Sequence, residues 1–150
     1  MNLFMITFRD GTARDKLVRT YEIGVGVPFD ADGDGIVDLA VPVSQLDGNG
    51  FQELWYVRLG NAIDIDAVAT QVIYPIVRTT RCGDIVNPVG ATESGLTIDQ
   101  TLWMPRTDHR RHCASGGTGV QVRDITVVDI GGTPYPVQTA LMPPGAASAR

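Results

Sequence analysis

The sequence predicts a mostly β fold: a β-sandwich or barrel-like sandwich of about eight strands, with long loops and at most one short helix. Composition is the first reason. Of 150 residues, 17 are Val, 11 Ile and 14 Thr, whereas Lys, Glu, Gln and Leu, which usually fill helices, number one, three, six and nine. Branching at Cβ restricts χ1 in a helix and packs well on a pleated sheet. Fourteen Asp against three Glu point the same way, because Asp favours turns over helix interiors. The second reason is alternation. Apolar and polar residues exchange places in short runs bounded by Gly, Pro and Asp, as half-buried strands require.

Leu3 to Phe8 alternates weakly and predicts a first strand, followed by the turn Arg9-Asp10-Gly11-Thr12. Leu17 to Val27 predicts a second strand, with alternation clear over its second half. Pro28 to Gly35 reads as a loop, Ile36 to Val43 as a strand, Asp47 to Gly50 as a turn and Phe51 to Leu59 as another strand. Between Ile63 and Val77 the pattern is ambiguous, and residues 67–73 form the one plausible short helix. An irregular stretch runs from Thr79 to about Gly95, and Leu96 to Met104 alternates again. A second irregular stretch, Pro105 to Gly119, carries both histidines. Val120 to Ile130, then Gly131-Gly132, then Thr133 to Leu141 is the strongest hairpin signal in the chain. Pro134 and Pro136 put its last strand at a sheet edge, because proline cannot donate to a ladder.

Residues 1–142 are expected to form a single β-rich domain, and the small, Pro/Ala/Ser-rich residues 143–150 a flexible or partner-bound tail. The longest mostly apolar run, Ala67 to Val77, has 11 residues and three interruptions, against the roughly 20 a membrane helix needs. No membrane partner is expected, and the first ten residues lack the pattern of a secretory leader. The formal net charge of −5 is uneven: residues 20–77 hold nine acids and one base, and the rest of the chain is net positive. An acidic module binds a phosphate backbone poorly, so nucleic acid is not an expected partner. Two cysteines, Cys82 and Cys113, are too few for a disulfide scaffold, and their redox state is open.

One constellation carries specific chemistry. Residues 30–38 read Asp-Ala-Asp-Gly-Asp-Gly-Ile-Val-Asp. Asp30, Asp32, Asp34, the Ile36 carbonyl and Asp38 are spaced as the oxygen ligands of a calcium loop, with Gly35 permitting the sharp turn and Val37 expected to anchor the loop to the core. Four clustered carboxylates repel one another unless a cation sits between them, so calcium gives the clustering a reason; the alternative is a solvated Asp/Gly turn. The flanks read as strands, and Val41 stands where a helix–loop–helix calcium hand has its Glu. Residues 28–60 resemble the calcium loops of FG-GAP and related propeller-blade repeats, in which the acidic loop leads into a strand like Asp38-Leu39-Ala40-Val41. That resemblance implies a structural cation loop and no propeller, since the other blades are absent. The pattern recurs 15 residues on, where Asp47, Asn49 and Glu53 form a second candidate of lower charge that also reads as a hairpin turn.

Weaker constellations complete the reading. His109, His112, Cys113 and Cys82 suffice in number for zinc, but the spacing is poor and Arg110 and Arg111 disfavour a cation. Arg106, Arg110 and Arg111 instead suit contact with acids of another subunit, and Trp55 and Tyr56, on opposite faces of one strand, offer one core residue and one contact residue. No catalytic set is evident. The expectation is therefore a non-enzymatic structural protein of an extracellular assembly, such as the capsid decoration or tail of a tailed bacteriophage, made in the host cytoplasm and self-associating or binding other virion proteins. A calcium-dependent adhesion module is the alternative, and a small metal- or thiol-dependent enzyme the third.

Overall fold

The computed structural model describes residues 6–61, 70–81, 83–92 and 95–142, and in them eleven strands form two antiparallel sheets. The spine of the first sheet is a ribbon of β4 (Asp38–Asp47) and β5 (Gly50–Leu59). Along one edge of β4 lie β3 (Val27–Phe29), paired to its first residues, and β2 (Thr20–Ile23), paired to its later ones; β1 (Thr12–Arg14) borders β2. Along the free edge of β5 lie β6 (Thr70–Gln71) and β7 (Val77–Thr80). Pro42 is tolerated inside β4 because it sits where the neighbour changes from β3 to β2. Its carbonyl accepts from Gly24 on that edge, so the missing N–H falls in the gap.

The second sheet runs β11 (Thr133–Met142), β10 (Gly119–Ile130), β9 (Gly95–Leu102), β8 (Ile85–Thr92). Gly131 and Gly132 both have positive φ, 63° and 83°, as a type I′ turn demands, and the two prolines lie on an edge strand as expected. Phe29, Ala40 and Val57 of the first sheet, with Ala31 just beyond β3, meet Leu96, Ile98, Ile125 and Val127 of the second in one shared core. The sandwich-like class read from the sequence is thus the observed one.

Several boundaries differ from expectation. Residues 6–8 are not strand, and residues 1–5 lie outside the described residues; the first strand is instead β1. The run expected as one strand from Leu17 to Val27 breaks at Gly24–Gly26, where the chain steps along the same edge of β4 and becomes two short strands. The stretch expected to be irregular from Thr79 to Gly95 contains β8, whose alternation is broken by a bulge between Val86 and Val89. Of the expected helix at 67–73, residues 67–69 lie outside the described residues, 70–71 are strand and 72–73 are not helical. The α-helix of the described residues is a single turn, α1 (Pro105–Asp108), followed by one 3-10 turn at Cys113–Ser115, both in the segment read as loop. The expected tail, 143–150, lies outside the described residues.

Candidate metal centre

The acidic loop is the connection between β3 and β4. Phe29 pairs with Asp38 across its base, and residues 30–37 bulge out as a string of bends. Such a loop must satisfy its own backbone, and its aspartates do so. Asp30 accepts from Gly33 N at 2.7 Å on one oxygen and from Gly35 N at 2.9 Å on the other. Asp32 accepts from Asp34 N at 3.3 Å, and Asp34 from Ile36 N at 2.8 Å. Gly33 and Gly35 take φ of 80° and 81°, which an L side chain adopts only under strain.

Asp38 is the residue on which the loop closes. It is 2% exposed, and its two oxygens accept from Ala31 N and Gly60 N, both at 2.7 Å. Burial, and then the neighbouring charges of Asp32 and Asp34, outweigh these bonds and hold its carboxyl above the ordinary range. Ala31, fully buried, passes the connection on: its carbonyl accepts from Val127 N at 2.7 Å and from Thr126 Oγ1 at 2.8 Å. Asp38 therefore fastens the end of β5 and, through Ala31, the second sheet to one loop.

Carboxylate oxygens of Asp30, Asp32 and Asp38 lie within 4.8 Å of one another. Two oxygens on opposite sides of a calcium ion stand about 4.6–5.2 Å apart, so the spacing suits that ion. The donors are all hard oxygens, and each accepting oxygen keeps a second lone pair. One candidate ligand stands apart here, and one sequence expectation needs correction. Asp34 stands outside the convergent group, with one oxygen turned to its own loop. Val37 does not anchor the loop, being 65% exposed; Ala31 fills that role because it is the residue Asp38 pulls inward.

The second Asp/Gly segment takes the plainer of its two expected forms. Gly48 and Asn49 make a two-residue hairpin turn, with Gly48 at φ 54°. Glu53 pairs with Ser44, three ladder steps from the Asp47–Gly50 pair and hence about 10 Å along the strand, on the opposite face of the pleat. Its two oxygens accept from Ser44 Oγ and Trp55 Nε1. The ladder therefore keeps Asp47, Asn49 and Glu53 from converging.

Trp55 packs on the core and Tyr56 faces the other side of the sheet, as the strand period requires. Arg106, Arg110 and Arg111 are exposed, as are His109 and His112. Cys113 is disulfide-bonded, and Cys82, the sequence's only other cysteine, lies outside the described residues. A disulfide sulfur is neither a nucleophilic thiolate nor a zinc ligand.

Sequence reasoning overlooked a second buried carboxylate, Asp108, at the end of α1. It accepts from Met104 N, Thr118 N and Thr118 Oγ1 at 2.8–2.9 Å. Burial alone would raise its pKa, but these bonds and Arg111 hold it below the ordinary value. Pro105 at the helix start with an acid three residues later was the available signal. No family model matches the chain, and no curated protein or solved structure does either.

Proposed function

We propose that this protein is a non-enzymatic structural component of an extracellular assembly, with the loop at residues 30–38 as a calcium-dependent fastener between its two sheets. The supporting observation is the chain of bonds from Asp38 through Ala31 to Val127, which makes the geometry of one acidic loop a condition for inter-sheet docking. A cation between Asp30, Asp32 and Asp38 offsets their repulsion and locks that geometry. Such a device is most useful where calcium is millimolar, outside cells. The setting we favour is the virion of a tailed bacteriophage, in the capsid decoration layer or the tail. In that setting the exposed Arg106, Arg110 and Arg111 meet the acidic residues of a neighbouring copy or another virion protein.

Thermal melts with and without a chelator test the fastener. With calcium at about a hundred times its Kd, chelation should lower Tm by about 5–10 °C. Asp32→Ala combined with Asp34→Ala should remove that dependence, and an unchanged melt for the unaltered protein rejects the ion. Light scattering on a sizing column tests the assembly. Self-association weakened by Arg110→Glu with Arg111→Glu supports it, whereas a strict monomer that binds a glycan favours the adhesion reading instead.

A further inference from the structure

The curled first sheet has a second face, turned away from the core. The strand period sends Val41 and Val43 of β4, and Leu54, Tyr56 and Arg58 of β5, to that face, opposite Ala40, Trp55 and Val57. Ile6 and Phe8, from the start of the described chain, also line it, and the cleft measures about 400 Å³. That volume falls within the range of small-molecule sites.

The cleft is apolar along its length and polar at its ends, and the two ends differ. At one end the polar groups are spoken for: Tyr21 Oη donates to Asp15 at 3.0 Å, and Gln52 Nε2 to Gln45 Oε1 at 2.6 Å. At the other end stands Arg58, with Gln71 beside it across the β5–β6 ladder. Among the described residues Arg58 has no hydrogen-bond or ion-pair partner, whereas Arg19, at the far end, is paired with Asp15. Burial raises the Tyr56 hydroxyl above its ordinary pKa, in keeping with a poorly hydrated interior next to that guanidinium.

We propose that this cleft binds a single-tailed amphipathic anion, with the carboxylate head on Arg58 at the mouth and the tail laid along Tyr56, Val41, Leu54 and Val43. An exposed guanidinium pairs with a carboxylate in a forked geometry, and the floor from Arg58 to Leu54 runs for about 13 Å, the reach of a medium-chain tail. The site shares no residue with the acidic loop, so it stands or falls independently of the calcium reading.

Titration calorimetry with n-dodecanoate, below micelle formation, tests the site on the full chain. One molecule should bind per protein, with dodecanol about tenfold weaker and dodecylamine weaker still. Arg58→Gln, at an exposed position, should reduce dodecanoate to the affinity of dodecanol and leave dodecanol unchanged. Val43→Trp, which fills the cleft, should abolish both. If that variant does not fold, methyl shifts on dodecanoate addition in the unaltered protein replace it, and they must centre on Val41, Val43 and Leu54. Absence of saturable dodecanoate binding, equal affinity in Arg58→Gln, or shifts elsewhere would each overturn the proposal.

Discussion

Residues 30–38 and 45–53 spell nearly the same motif and fold into different objects. Each has Asp-Gly followed by a polar residue, Gly and an acid, yet one is an eight-residue loop and the other a two-residue turn. The difference lies in what stands at the start. Asp30 can take two loop N–H groups on its carboxylate, and so supports an excursion of the backbone. Gln45 occupies the equivalent place and stays in the ladder, bonded to Gln52. At the far end, Asp38 turns inward to Ala31 and Gly60, whereas Glu53 lies on the pleat between Ser44 and Trp55. Carboxylate spacing in sequence thus becomes convergence in space only where the backbone leaves the sheet.

Exchanging the two acids for alanine should widen this contrast most. Asp38→Ala strands one buried and one half-buried N–H group, and in calcium it should cost about 2–5 kcal/mol in urea denaturation. Glu53→Ala, whose partners reach water, should cost less than about 1 kcal/mol. Equal losses would mean that the loop fastens nothing. Gly60→Ala comes next, because a Cβ there would lie 2.4 Å from the Val37 carbonyl oxygen. The expected cost is about 1–3 kcal/mol, against less than about 0.5 kcal/mol for an alanine at exposed Gly90, where nothing lies within 4 Å.

The two buried carboxylates should respond to pH in opposite senses. Asp38 binds its proton more tightly folded than unfolded, so in chelator its contribution falls as pH rises from the ordinary carboxylate value of 3.8 through its raised folded value. Asp108 binds its proton less tightly when folded. Its contribution is present above 3.8 and is lost as pH falls through its lowered folded value. Urea midpoints across this range should show Asp38→Asn removing the first trend and Asp108→Asn the second; calcium should reverse the first. The smallest effect is expected at the turn, where Asp47→Ala with Asn49→Ala should leave the response to calcium unchanged.

How much of this was legible depended on which elements keep a simple local period. The β10–β11 hairpin could be read because Gly131-Gly132 admits few other conformations and the flanking alternation is unbroken. β8 could not, since Asn87-Pro88 sits in a bulge and shifts the alternation within eight residues. The loop's acids were legible as a cluster, but their division of labour was not. Asp34 stands apart from the group formed by Asp30, Asp32 and Asp38, and the anchoring expected of Val37 falls to Ala31, through hydrogen bonds to Asp38 and Val127 that no local pattern encodes. Asp108 was hidden for the same reason, because its partner Thr118 lies ten residues away across the histidine segment.

Amide hydrogen exchange at Val127 and Gly60, followed during a calcium titration, addresses the fastener most directly. Neither residue belongs to the acidic cluster, yet both N–H groups hang on the loop's closure. Saturable slowing of both amides, absent in Asp32→Ala with Asp34→Ala, is the predicted result. Exchange that ignores calcium at both positions would contradict the account.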